Sequence, residues 1–152
     1  MTTWAEFSAA SPDVAAAGRR LLYRGETGEA LLATVRGDAL PRIHPIWVAI
    51  VEGRLYAFIL PSVKRTDLKR DGRFALHTHI DPATPSELSI RGHARLVDVA
   101  DVRSAVGGQW YFEVDEGYEL FEFSIEAAVL GARDTADEWP PRYSTWSAAR
   151  PC

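Results

Sequence analysis

Hydrophobic residues in this chain fall into short runs that are separated by turn residues, which is typical of β-strands. The pattern predicts seven strands, at residues 29–36, 42–51, 54–60, 73–80, 88–97, 118–129 and 142–146. Short turns join most of these runs, so most of the strands are expected to pair antiparallel. We therefore predict a mainly β protein, a barrel or sandwich of six or seven mostly antiparallel strands with flanking helices.

A helical segment over about residues 3–24 is predicted to precede the strands. Thr3 and Glu6 have the spacing of a capping box, in which each side chain caps the backbone of the other residue. Ser11–Pro12 then combines an N-cap residue with a residue suited to the first helical position. Gly25 is predicted to end this second helix as its C-cap.

Two shorter helices are predicted between strands. Residues 62–71 follow the third strand, with Ser62 as N-cap and with Val63 and Leu68 expected to face inward. Residues 98–106 form the other helix, which ends before a pair of glycines.

Composition and charge narrow the range of functions. The 152 residues suit one domain that spans the whole chain, and the net charge of −4 argues against nucleic-acid binding. The sequence has no apolar run of ~18 residues, so no membrane span is expected. No secretory leader is recognised, and the single cysteine, Cys152, allows no internal disulfide. We expect a cytoplasmic protein in which Cys152 has no functional role.

The strongest candidate for chemistry is the start of the helix after the third strand. Ser62 is placed to cap it, and Lys64 and Arg65 lie in its first turn. Helix N-termini carry free N–H groups and partial positive charge, and therefore bind anions. Two cations in that turn oppose the helix dipole unless an anion neutralises them. The segment is compatible with a phosphate site and equally with an ordinary surface helix.

The second candidate is the strand at residues 42–51. Side chains alternate along a strand, so Arg42, His44 and Ile46 are expected on one face and Ile43, Pro45 and Trp47 on the other. Pro45 cannot donate to a strand ladder, so one side of the strand is expected to be open or bulged. Two interpretations are open. The strand lies beside a flat aromatic ligand, or it is a partly exposed strand whose Trp47 belongs to the core.

Three histidines suggest a weaker alternative. His77 and His79 share one face of a predicted strand, and His93 lies on the next, so their approach is compatible with metal or haem ligation. No carboxylate lies at a ligand-like spacing, and a structural role is the favoured interpretation. We therefore predict no metal site.

The aromatic run Trp110–Phe112 precedes acidic residues. Three interpretations are open for it: part of the core, a subunit interface or the lid of a pocket. We favour the interface.

Residues 32–36, 41–47, 55–58 and 62–77 together resemble the pyridoxamine 5′-phosphate oxidase-like family of flavin-binding split β-barrels. The element Ser62-x-Lys64-x-x-x-Leu68, between a strand and a helix, is a fairly specific mark of that family. The resemblance extends over about residues 3–100 and is poor in the last third of the chain.

This resemblance implies a homodimer that binds FMN in clefts between its subunits and carries out flavin-dependent oxidoreduction of a small molecule. The implied cofactor-binding residues are His44, Pro45, Ile46, Trp47, Phe58, Ile59, Ser62, Lys64, Arg65 and Trp146. Trp146, with Arg150 after it, loosely resembles a C-terminal pair that lines the site in the oxidases. No side chain is assigned a catalytic role, because the flavin carries the redox chemistry in such enzymes.

The sequence also departs from the oxidases themselves. They carry arginine where His44 and Val63 stand, and lysine where Ala49 stands. The resemblance therefore implies a phosphate-bearing cofactor rather than vitamin-B6 oxidase activity. Related branches use a deazaflavin coenzyme or bind haem without being enzymes, and both remain alternatives.

Overall fold

The computed structural model describes residues 1–149, which contain four helices and eight strands. The helices are α1 (Trp4–Ala10), α2 (Pro12–Leu22), α3 (Val63–Arg70) and α4 (Ala100–Gly107). The strands are β1 (Tyr23–Arg24), β2 (Thr27–Val35), β3 (Pro41–Val51), β4 (Arg54–Ile59), β5 (Arg73–His77), β6 (Glu87–Val97), β7 (Glu119–Ala132) and β8 (Arg142–Ser147). None of these four helices has the length and hydropathy needed to cross a membrane.

Six strands form a closed antiparallel barrel. Their order is β2-β3-β4-β7-β6-β5, and the pairing of β5 with β2 closes the circle. The short strand β1 pairs antiparallel with the start of β2, and β8 pairs with the C-terminal part of β7. Alternate side chains of each strand fill the barrel, as in the regular burial alternation along β2. The structure thus confirms the predicted mainly β split barrel with flanking helices.

All seven predicted strands are present, and β1 is an eighth strand that the sequence analysis missed. The helix predicted to reach residue 24 ends at Leu22, because Tyr23 and Arg24 pair with β2 instead. Gly25 is therefore not a helix cap. It lies in the β1–β2 turn, with a φ of 67° that a residue without a Cβ adopts at little cost.

The N-terminal helices close one end of the barrel. The predicted capping box is present, with the Glu6 amide donating to Thr3 Oγ1 at 3.2 Å and the Thr3 amide donating to Glu6 Oε2 at 2.7 Å. Phe7 is fully buried in the main core, and its ring lies 4.9 Å from that of Trp146. Ser11 precedes α2 as expected, but its side chain makes no capping hydrogen bond.

The outer face of β4 carries a second, smaller core. Leu55, Ala57 and Ile59 point into the barrel, whereas Tyr56 and Phe58 point outward. Helix α4 and the loop after it cover these two aromatic side chains. This second core separates the two cavities considered below.

Candidate functional site

The barrel is split between β3 and β4. These strands pair only where residues 49–51 face residues 54–56. Beyond these residues β3 remains paired with β2, and β4 remains paired with β7. The backbones of β3 and β4 therefore separate and leave a gap. Pro45 lies in this gap on the unpaired edge of β3. The open side that the proline predicted is therefore present.

A cleft of about 390 Å³ occupies this gap, which is within the usual size of small-molecule sites. We call it the aromatic cleft. Its walls come from β3, the end of β4, the start of α3 and the loop at residues 108–118. It is lined by Pro45, Ile46, Trp47, Phe58, Ile59, Leu60, Ser62, Lys64, Trp110, Phe112 and Tyr118.

The polar end of the aromatic cleft is the start of α3. Ser62 caps this helix, because its hydroxyl accepts from the Arg65 amide at 3.4 Å and donates to the Leu60 carbonyl at 2.9 Å. Lys64 Nζ donates to the Pro45 carbonyl at 3.3 Å. Burial lowers the pKa of Lys64. Within residues 1–149 no carboxylate pairs with this ammonium group, so a negatively charged ligand at this end of the cleft would meet an uncompensated cation.

Arg65 points away from the aromatic cleft. Its guanidinium donates to the carbonyls of Ile59 and Gly117 and lies 3.3 Å from Glu119 Oε1. These contacts brace the 108–118 loop against α3. Val63 also differs from the sequence prediction, because its side chain is 51% exposed rather than inward, and only Leu68 enters the core.

His44 faces the barrel interior beneath α3 and is not part of the cleft lining. Its Nε2 is buried and has no hydrogen-bond partner within residues 1–149. Burial and the nearby charge of Lys64 lower the pKa of His44 and outweigh the opposite effect of Asp67. The ring is therefore neutral at pH 7. It packs on the inner face of β3, the strand that forms one wall of the cleft.

Asp67 joins α3 to the barrel, a role that the sequence analysis did not identify. Its carboxylate is 1% exposed and accepts from Thr34 Oγ1 at 2.9 Å, from Arg42 Nε at 2.9 Å and from Arg70 Nη2 at 3.2 Å. Burial opposes ionisation, but these three donors outweigh it and hold the pKa of Asp67 below its usual range. The network fixes the helix that carries Lys64 against β2 and β3.

The 108–118 loop forms one wall of the cleft, where Trp110 and Phe112 line it, and Trp110 and Tyr111 also pack against the second core. The interface interpretation of this run stays a prediction. Tyr111 anchors this wall. Its phenol oxygen accepts from the Gly28 amide at 2.8 Å and donates to the Val48 carbonyl at 2.6 Å. Glycine at position 28 leaves room for this bridge, since a Cβ there would lie 2.2 Å from the Val48 oxygen.

Replacing Tyr111 by phenylalanine is expected to lower the free energy of unfolding by about 2 kcal/mol, because the buried Gly28 amide and Val48 carbonyl lose a partner. Tyr118→Phe is the matched control, since the Tyr118 hydroxyl makes no hydrogen bond within residues 1–149. Burial raises the pKa of Tyr111 to about 12. The contribution of the Tyr111 phenol to the free energy of unfolding is therefore complete below pH 10 and is lost as the pH rises through about 12.

Urea unfolding of both variants at pH 8 and pH 11 measures this difference. Equal stability of Tyr111→Phe and Tyr118→Phe would contradict the anchoring role of the Tyr111 phenol.

Trp146 lies far from the aromatic cleft of its own chain. It pairs with Ala128 on β7, whereas Phe58 pairs with Leu120 eight residues earlier on that strand. This separation corresponds to about 26 Å along the strand. Arg150 and Cys152 lie outside the described residues.

The three histidines do not cluster. His79 lies just after β5, where it lines a cavity with Arg20 and Asp81. His77 pairs with Ser89, and His93 pairs with Arg73 at the other end of the same hairpin. His77 Nε2 lies 3.4 Å from Glu87, and His93 Nδ1 contacts Glu126. Within residues 1–149 no three side chains of the metal-binding types form a cluster. The approach of these histidines that the sequence suggested is therefore wrong.

Comparison with solved structures identifies related folds at low sequence identity. A candidate pyridoxamine 5′-phosphate oxidase of Listeria innocua aligns with a TM-score of 0.59 and 16% identity, over 74% of this chain and 93% of that one. An F420 reductase aligns with a TM-score of 0.56 and 21% identity, over 73% and 94%. A haem-binding protein of Mycobacterium smegmatis gives 0.63 and 13%, over 87% of this chain and 57% of that longer one. No protein-family model and no curated protein matches the sequence.

Proposed function

We propose that this chain, which has the split β-barrel fold of the pyridoxamine 5′-phosphate oxidase-like proteins, binds FMN in the aromatic cleft and acts as a flavin-dependent oxidoreductase. The observation that carries the proposal is the combination of an aromatic cleft at the barrel split with the unpaired ammonium of Lys64 at its polar end. The substrate is a small molecule that reaches the same cleft.

The residues of the cleft suit the two chemically different ends of FMN. The phosphate group needs cations and hydrogen-bond donors, which Lys64 and the first amides of α3 supply, and the Ser62 hydroxyl could join them by turning from the Leu60 carbonyl. The flavin ring is flat and aromatic, and the walls formed by Trp47, Trp110 and Phe112 favour such a group.

FMN supplies hydride and electron transfer when it is bound, and the chain supplies position and electrostatics. The Lys64 ammonium would bind the negatively charged phosphate, and Asp67 keeps the helix that carries Lys64 in place. Trp110 lines the cleft, and its buried indole N–H has no partner within residues 1–149. The apolar walls exclude water from the ring of the cofactor.

The visible spectrum of freshly purified protein tests this proposal, followed by addition of FMN and by identification of any released ligand. We expect flavin absorption bands, or their shift when FMN is added to colourless protein. Absence of both would reject the function.

A deazaflavin coenzyme is the second candidate, because an F420 reductase shares the fold and that coenzyme also carries phosphate. Competition between the two cofactors for one protein sample distinguishes them, since the physiological cofactor is expected to displace the other at equal concentration. Haem has less support, because the described histidines do not converge.

We also propose that two copies of the chain pack through the outer face of β2, β3 and β5. Most outward side chains on these strands are apolar, namely Leu31, Ala33, Val35, Ile43, Pro45, Trp47 and Ala75, and Glu29 and His77 border them on the same face. Ile43 is 71% exposed in the single chain. Trp47 belongs both to this face and to the aromatic cleft, so a dimer formed here would bring the second subunit to the cofactor.

The substitution Ile43→Glu is expected to convert the dimer to a monomer, because it places a charge at the centre of an apolar interface. Analytical ultracentrifugation of the wild type and the variant measures this change. Glu26→Gln, on the β1–β2 turn, is the control and is expected to remain dimeric. A wild-type protein that is monomeric at micromolar concentration would contradict the interface.

A further inference from the structure

A second cavity lies between α4 and the outer face of the sheet. Its volume is about 490 Å³, and it shares no lining residue with the aromatic cleft. Its walls are apolar, with Val97, Val102 and Val106 among them, and its floor is polar. We call it the arginine cavity, because Arg54 and Arg95 reach its floor.

The sheet register builds this floor. Tyr56, Glu122 and Arg95 lie directly opposite one another on β4, β7 and β6, and Arg54 lies two residues before Tyr56 on the same face. The Glu122 side chain is 4% exposed. Its Oε1 accepts from Arg54 Nη1 at 2.6 Å and its Oε2 from Arg95 Nη2 at 2.7 Å.

Several hydrogen-bond donors on the floor, from Arg54, Arg95 and Tyr56, have no partner within residues 1–149. Two guanidinium groups and one carboxylate leave one net positive charge, and each arginine has five N–H donors, of which Glu122 takes one. The Tyr56 side chain is 4% exposed, lines the cavity, and has no hydrogen-bond partner for its phenol within residues 1–149. Burial raises the pKa of Tyr56, so the phenol is protonated and is also a donor.

We propose that the arginine cavity binds a small monocarboxylate with an apolar tail. The carboxylate would accept from the Tyr56 phenol and from the free guanidinium N–H groups of Arg54 and Arg95, and its charge would neutralise the floor. The tail would lie against the valines of the walls. Glu52, Asp98 and Asp101 also line the cavity and make the lining as a whole negative, so the attraction is confined to the floor. A doubly charged anion such as phosphate is therefore opposed more strongly than a monocarboxylate. The site is separate from the cofactor site and does not depend on FMN.

Octanoate is a suitable probe, with octanol and octylamine as charge controls of equal tail length. Titration into ¹⁵N-labelled protein, followed by ¹H–¹⁵N NMR, is expected to give saturable shifts along residues 95–106. Octanoate should bind more tightly than either control. Tyr56→Phe should weaken octanoate about tenfold, the loss of one hydrogen bond to a charged group.

Tyr118→Phe, in the aromatic cleft, is the matched control and should leave octanoate affinity unchanged. Tyr56→Phe retains the ring and both arginine–Glu122 pairs, and the dispersion of its NMR spectrum reports whether it is folded. The proposal is overturned if octanoate shows no saturable binding at millimolar concentration or shifts only residues 108–118. It is also overturned if octanol or octylamine binds as tightly, or if Tyr56→Phe binds octanoate like the wild type.

Discussion

Asp67→Ala is expected to lower the free energy of unfolding by about 3 kcal/mol. The substitution removes a carboxylate that is 1% exposed and accepts from Thr34, Arg42 and Arg70. Loss of a buried ionic partner costs about 3–5 kcal/mol in general. The lower end applies here, because the side chains of Arg42 and Arg70 are partly exposed and water can solvate them.

The pH dependence of this loss provides a second test. The pKa of Asp67 is lowered in the folded protein, so its contribution is complete above pH 4 and disappears as the pH falls through the folded value. The difference in stability between the wild type and Asp67→Ala should therefore become smaller at low pH.

Asp71→Ala, at the C-cap of the same helix, is the matched control. Asp71 forms a bidentate pair with Arg73 at the surface, where solvent screens the pair, so a much smaller loss is expected. Urea unfolding monitored by tryptophan fluorescence measures all three proteins. If Asp67→Ala lost no more stability than Asp71→Ala, the anchoring of α3 by Asp67 would be wrong.

Lys64→Ala is expected to weaken FMN binding by about 10- to 100-fold, which is the range for one hydrogen bond between charged groups. The Nζ atom lies at the polar end of the aromatic cleft without a carboxylate partner in the described chain, so a phosphate there gains its full attraction. Lys69→Ala is the control. Lys69 lies on the same helix but pairs with Glu119, so its loss should leave FMN affinity nearly unchanged.

FMN affinity should also fall as the solution becomes alkaline. Burial lowers the pKa of Lys64 below its ordinary value near 10.4, so the ammonium loses its proton earlier than an exposed lysine does. Affinity is expected to be full below that pKa and to decline above it. Lys64→Ala should lack this decline. A pH profile shared by the wild type and Lys64→Ala would exclude the ammonium–phosphate contact.

The sequence predicted the strands well because their side-chain alternation is local. Pro45 marked the open edge of β3 for the same reason, since a missing N–H is a property of one residue. Ser62 likewise predicted the start of α3, because an N-cap serine is a local signal. Among the strands of residues 1–149 only β1 was not predicted, because its two residues carry no periodic pattern and their pairing with β2 depends on the turn at Gly25.

The candidate site was less predictable, because its side chains meet across long distances in sequence. Tyr111 bridges to Gly28 over 83 residues, and Asp67 reaches Thr34 over 33. The sequence around Asp67, which lies among the cations of α3, does not indicate that this carboxylate is buried. The different directions of Lys64 and Arg65 follow from helical geometry, which places adjacent residues about 100° apart around the axis. Trp146 was grouped with the cleft by resemblance, yet β8 pairs with the far end of β7.

We propose that the aromatic cleft binds a flavin whose phosphate lies at the start of α3. Titration of the wild-type protein with FMN and with riboflavin, followed by flavin fluorescence, tests the phosphate contact, because the two ligands differ only in the phosphate. We predict one FMN bound per chain, with riboflavin at least tenfold weaker. Equal affinity for both ligands, or no binding of FMN, would contradict this binding mode.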